Sequence, residues 1–154
     1  MLQKKIQTLC HFRKTRISCY GLAIAIWLAA IFALSAQPTW TSSQAWMLIT
    51  PIRKSAHALE FAVLTGLVWQ ALRYIEERSA WFGKMARYRT WTALLLPLLY
   101  AISDEMHQYF VPNRQAQVMD VLIDTVGIFL ALAVIELLQK KQWSLAPQKL
   151  FLNS

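Results

Sequence analysis

Apolar positions along this chain come in long unbroken runs, separated by short polar stretches, and show no strand-like alternation. The interval 17–52 contains no charged residue at all. A membrane-spanning helix needs roughly 20 mainly apolar residues, and in lipid only helices or closed barrels satisfy their backbone groups. The pattern predicts four such helices, at 20–36, 55–72, 90–110 and 115–138. The last three each carry their ionisable residues towards one end. The expected fold is therefore all-α: an integral membrane four-helix bundle at 20–138, flanked by basic tails at 1–19 and 139–154, with no repeat and no linker that would divide it.

Small residues add a packing expectation. Gly21, Ala25, Ala29 and Ala33 recur every fourth position in the first span, a stripe that permits close helix contact in lipid, and Gly127 with Ala131 repeats the spacing in the fourth. Gly66 is expected to serve similarly in the second. The stretch 38–51 holds Trp40, Trp46 and several Ser and Thr residues, which suits an interfacial segment with an amphipathic turn. Trp91 and Trp143 are expected at the opposite boundary.

Composition agrees with the pattern: 56% of the 154 residues are hydrophobic and seven are Trp, with a mean hydropathy of +0.34. A formal charge of +8 could suggest nucleic acid, but its placement argues for topology. Thirteen of the sixteen Lys and Arg fall in the N-terminal tail, the loop between the second and third spans, and the C-terminal tail; Arg53, Lys54 and Arg114 fall on the other side. Positive residues accumulate in cytoplasmic loops. Both termini are thus expected in the cytoplasm, in a multi-pass membrane protein. No nucleic-acid partner is expected. Cys10 and Cys19 lie at the cytoplasmic side, where thiols stay reduced. The segment 32–37 imitates a signal-peptide cleavage site, but the first apolar run is expected to be retained as a span.

The chemistry concentrates in the polar ends of the last three spans. Lys54, His57 and Glu60 recur at intervals of three and share a helix face. Asp104, His107 and Gln108 share another, with Glu105 set somewhat aside, while Asp120 and Asp124 are four apart. At 1.5 Å rise per residue, Asp124 lies roughly 10 Å below Gln117, and Glu60 similarly below Lys54. A charge at bilayer depth costs roughly 2.5 to 3.5 kcal/mol on insertion scales, so it is normally paired or functional. Two readings stay open. The charges can neutralise one another and hold three helices in register. Alternatively, Lys54, His57, Glu60, Asp104, Glu105, His107, Gln108, Arg114, Asp120 and Asp124 form an outward pocket for a polar ligand, with the Arg114 fork on a phosphate or carboxylate. Asp104, Glu105 and His107 are the candidates for acid–base catalysis, although no nucleophile stands beside them. His57, His107, Glu105, Asp104 and Asp120 could offer metal ligands, yet there is no H-E-x-x-H pair and no cysteine pair, so neither a metal nor a cofactor is expected. A proton relay through His57, Glu60 and Asp124 would need acids in the cytoplasmic half, where none is visible.

Three separated segments carry a resemblance. Ser35 and Gln37 resemble an S-x-Q turn; Lys54, His57, Phe61 and Leu64 resemble a K-x-x-H-x-x-x-[YF]-x-x-L segment. Asp104, Glu105, Gln108, Pro112, Arg114 and Asp120 resemble a D-E-x-x-Q…P-x-R…D signature, with Gly127 matching a following glycine. All belong to the VanZ-like membrane protein family. Asn113 stands where that family has glycine, and Asp124 where Asn is common. The resemblance implies a bacterial cytoplasmic (inner) membrane as the location and a link to low-level resistance to teicoplanin, a lipid-tailed glycopeptide, with lipid head groups, cell-wall precursors or the lipoglycopeptide itself as partners beside the bilayer. By analogy the pocket binds or modifies an envelope component. The alternatives are a lipid-head-group hydrolase or transferase, a non-catalytic structural partner in an envelope complex, and a small proton-coupled transporter. Binding is favoured over catalysis, and the sequence leaves the oligomeric state open.

Overall fold

A computed structural model describes residues 2–37, 43–76, 86–114 and 117–151, with side chains described for 17–37, 50–76, 88–114 and 117–141. These residues form four helices, α1 (Leu2–Ser35), α2 (Ser43–Glu76), α3 (Ala86–Gln108) and α4 (Val118–Phe151), and no strand. Stretches of α1 and α4, Ile17–Ser35 and Val118–Lys141, are long and apolar enough to cross a membrane, with mean hydropathies of 2.2 and 2.4. α2 and α3, interrupted by the charged positions of their polar ends, do not meet that measure.

The helix ends follow local chemistry. α1 closes with Ala36 N–H on Phe32 C=O (2.9 Å) and Gln37 N–H on Leu34 C=O (3.4 Å), just ahead of Pro38, because a residue before proline is pushed away from the helical region. α3 stops at Gln108, two residues short of the expected end, where Phe110 and Val111 N–H turn back onto His107 and Gln108 C=O at 3.0 Å each. Asp120 sits in the first turn of α4, where the helix dipole favours a negative charge. The expected interfacial turn at 38–51 is corrected in part: from Ser43 onward the chain is already α2, and the helix runs through Pro51. The missing proline N–H removes one ladder bond and the bonds on either side persist. Trp40 lies outside the described residues. Pro97 is likewise carried inside α3, fully buried.

Successive helices run in opposite directions. The end of α1 meets the end of α3 through Ser35 and Asp104, the start of α2 meets the start of α4 through Lys54 and Asp120, and the start of α3 meets the end of α2 through Arg89 and Glu76, 2.6 Å apart. α2 is central and touches the other three helices. Ile31, Phe61, Leu64, Val68, Trp69, Ala93, Ala101 and Ile128 form the core between them, and Arg89 stacks over Trp69, 4.4 Å from the ring centre. The outer surface is strongly apolar, with Leu22, Ile26, Leu59, Leu99, Phe129 and Leu130 among many large exposed side chains.

Of the predicted small-residue contacts, one is a true close approach. A Cβ built on Gly127 would collide with the backbone carbonyl of Ala58, so glycine there sets the spacing of α2 and α4. Gly66 has nothing within 4 Å of the equivalent point. Gly21, Ala25, Ala29 and Ala33 are all exposed. The stripe on α1 faces away from the bundle, because α1 meets α2 through Ile24, Trp27, Leu28 and Ile31 on its other side. Replacing Gly127 by Ala should destabilise the protein by about 1–3 kcal/mol, the usual cost of overpacking against something that cannot yield. Gly66→Ala should be neutral or mildly stabilising. Thermal unfolding of both variants in detergent checks the contrast, and equal melting temperatures would refute the close approach.

Candidate functional site

The polar residues of the last three helices converge at the end of the bundle opposite the two termini, around a cavity of about 550 Å³. α2 contributes Thr50, Arg53, Lys54 and His57, while α3 contributes Glu105 and Gln108. The α3–α4 loop adds Asn113, Arg114 and Gln117, and α4 adds Asp120, Ile123 and Asp124. Seven of the ten residues singled out from the sequence thus line one cavity. Glu60, Asp104 and His107 do not.

Those three stand behind the cavity wall. Asp104 is 3% exposed; its Oδ2 accepts hydrogen bonds from Ser35 Oγ and from Gln108 Nε2, each at 2.7 Å. Asp104 therefore joins α3 to the end of α1. His107 also turns to α1, its ring 4.2 Å from that of Phe32. Glu60 approaches His57 Nδ1 to 3.7 Å, and its backbone carbonyl accepts the indole N–H of Trp27 at 2.9 Å. Helical spacing groups 104, 107 and 108 on one face and sets Glu105 aside. In the fold, Asp104 and His107 look towards α1, whereas Glu105 and Gln108 look into the cavity, because α3 is wedged between α1 and α4.

Inside the cavity some charges are matched. Lys54 Nζ lies 2.5 Å from Asp120 Oδ1, a pair joining α2 to α4 near the rim, with both side chains more than a quarter exposed. Glu105 Oε2 accepts the backbone N–H of Gln117 at 2.8 Å, which fixes where the loop enters α4. Arg114 Nη1 donates to the carbonyl of Ser35 at 2.5 Å, so the loop is also pinned to α1. Asn113 holds a φ of 60°. That left-handed conformation is natural to glycine and best tolerated by Asn among other residues, so the departure from the expected glycine keeps the turn. Among the described residues Arg53 has no hydrogen-bond or ion-pair partner, and neither has Asp124, which is 2% exposed with a buried Oδ1. No three His, Cys, Asp or Glu side chains among the described residues converge as metal ligands would.

Arg53, Thr50, Asn113, Gln117 and Ile123 belong to the cavity without having been selected from the sequence. Arg53 had a usable signal: it precedes Lys54 in the helix and sits in the same outward group of cations. Ser35 had one as well, as the first residue of the S-x-Q turn. Its role as the donor to Asp104 depends on two helices meeting 69 positions apart and no local pattern announces it.

The described residues make an all-helical protein with a polar cavity closed by one loop at one end of the bundle. The sequence profile of the VanZ/LLP1 family matches residues 17–139, and the chain belongs to that family. No curated protein and no solved structure gives a match.

Removing one donor from Asp104 tests the tie between α1 and α3. Ser35→Ala should lower stability by about 1–3 kcal/mol, the cost of leaving a buried acceptor short of a partner. Ser35→Thr, which keeps the hydroxyl, should lose less; chemical denaturation in mixed micelles measures both.

Proposed function

We propose that this VanZ-like protein is a multi-pass protein of the bacterial cytoplasmic membrane, with both termini in the cytoplasm, and that its cavity opens to the outer face and binds an envelope component. The observation that carries the reading is the cavity itself. Seven ionisable side chains, from Arg53 to Asp124, line a space of about 550 Å³ in a bundle whose outer surface is otherwise rich in exposed Leu, Ile, Val and Phe. Apolar exposure on that scale suits lipid as the surrounding medium, and polar groups in such surroundings gather where they meet a ligand. The bias of Lys and Arg towards the other end supports the orientation.

Binding is favoured over catalysis by the arrangement of the acid–base candidates. Glu105 lines the cavity, but Asp104 is engaged by Ser35 and Gln108, and His107 packs against Phe32. They do not face a common reacting point, as general acid–base chemistry requires. Teicoplanin resistance is the physiological role the family suggests. A protein that occupies lipid or precursor head groups in the outer leaflet would perturb an antibiotic anchored there by its acyl tail.

Two measurements test this. A Gram-positive host expressing the protein should become less susceptible to teicoplanin than to vancomycin. The Glu105→Gln/Arg53→Gln variant, which alters the cavity wall but spares the Arg114 contact to Ser35, should return to the susceptibility of the empty host at equal membrane abundance. Unchanged protection in the variant would separate resistance from the cavity. For topology, a cysteine placed at Asn113 in a Cys10/Cys19-free background should react with a membrane-impermeant maleimide added outside intact cells. Labelling only after permeabilisation would reverse the orientation.

A further inference from the structure

The charges left over in the cavity have a definite pattern. Lys54 and Asp120 match each other in charge, although Asp120 Oδ1 has no hydrogen bond of acceptable geometry among the described residues. What remains on the cationic side among the described residues is Arg53, and Arg114, whose guanidinium meets a neutral carbonyl there. On the anionic side, among the described residues, remain Glu105, which meets a backbone N–H there, and Asp124, whose carboxylate has no donor while being 2% exposed. A buried carboxylate without a donor is costly, and a cavity that offers it one from a ligand removes that cost. Arg53 lies one turn above His57 in α2 and Arg114 lies in the loop, while Asp124 lies one turn below the rim residue Asp120 in α4. The complementary ligand therefore carries both signs, anion outermost and cation innermost.

A second observation extends the ligand. An apolar groove of about 400 Å³ runs between α3 and α4, lined by Ile102, Met106, Tyr109, Phe110, Val118 and Val121, and shares Glu105 and Gln117 with the polar cavity. The two spaces adjoin at those residues, whose mutual hydrogen bond of 2.8 Å forms the wall between them. The groove is open along its length to the apolar outer surface, where Met106, Tyr109 and Phe110 are strongly exposed. An apolar groove beside a two-signed polar cavity, on the far side of a wall two residues thick at the rim, suits an amphiphile whose head group enters the one and whose chain lies over the rim in the other.

We propose that cavity and groove together bind one molecule of an aminophospholipid class, with its primary ammonium on Asp124, its phosphodiester between Arg53 and Arg114, and an acyl chain in the α3–α4 groove. This deepens the reading of the cavity as a ligand site and rests on it. The ammonium must carry an N–H, most of them in the primary form: Asp124 needs a hydrogen-bond donor, which a choline head group cannot supply and a glycerol head group supplies without charge. The Arg forks take the phosphate in bidentate contacts. No bond is made or broken.

The test uses the full chain in a neutral detergent and short-chain dihexanoyl lipids, titrated by calorimetry. Dihexanoyl phosphatidylethanolamine should bind about tenfold or more tighter than the phosphatidylcholine and phosphatidylglycerol of the same chains, the worth of one charged hydrogen bond. Free phosphoethanolamine should bind more weakly than the tailed lipid. Asp124→Asn, nearly isosteric and checked for folding by thermal unfolding, should level the three head groups while still binding them through the phosphate. Phe110→Ser, at a position 78% exposed, should weaken the tailed lipid and leave free phosphoethanolamine unchanged. Equal binding of the three lipids by the unaltered protein, or a preference that survives Asp124→Asn, would overturn the proposal while leaving the cavity a ligand site. Binding of none of the lipids nor of phosphoethanolamine would instead remove the ligand-site reading on which it rests.

Discussion

Asp104 sits almost without contact to solvent, and a carboxylate so placed has to be met by donors from the protein. The donors come from two directions, Gln108 one turn further along α3 and Ser35 at the end of α1. Around that junction the rest of the polar end is assembled. The carbonyl of Ser35 accepts from Arg114, which fixes the α3–α4 loop, and the same loop is held by Gln117 on Glu105. The cavity inherits its shape from this set of bonds, since its wall on α3 and its rim in the loop are both positioned by them. One oxygen of Asp104 remains without a hydrogen-bond partner among the described residues, so the junction is polar beyond what packing alone demands.

A second constraint operates through steric contact. Gly127 lets the backbone of α4 touch the carbonyl of Ala58, which lies next to His57 within the polar row of α2, while the row of α4 ends at Asp124, about one turn before Gly127. Because the helices cross so closely at this point, Lys54 can reach Asp120, and His57 and Asp124 share one cavity. Close approach at a glycine and hydrogen bonding at Asp104 are thus complementary. The first brings α2 to α4, and the second ties α1 and the loop to α3.

Much of this was legible in the sequence. Four apolar runs became four helices, and the spacing of Lys54, His57, Asp120 and Asp124 placed their side chains around one space, because helical periodicity is a local property that survives packing. What the sequence could not disclose depended on partners distant along the chain. Glu105, counted in the pocket although set aside from the 104, 107 and 108 face, does line the cavity, whereas Asp104 and His107, counted with it, turn to α1, a partner that spacing within α3 does not reveal. The outward stripe of Gly21, Ala25, Ala29 and Ala33 could not be told from an inward one, since spacing alone says that a helix has a smooth face and not which neighbour uses it. The onset of α2 at Ser43 was hidden by Pro51, a residue that locally argues against helix but which the surrounding ladder tolerates.

The manner in which α1 is attached has a consequence for how its sequence can vary. Tyr100 donates to the carbonyl of Leu28 and Arg114 to that of Ser35. Both grips are on main-chain oxygens, which every residue type presents alike. The receiving helix can therefore change most of its outward side chains without loosening these two anchors, while Tyr100 and Arg114 on the gripping side have no such freedom. Across natural variants of this chain, the side chains of α1 that must persist would then be the few that reach inward, Trp27 and Ser35 among them, while these two main-chain anchors are written in α3 and the following loop.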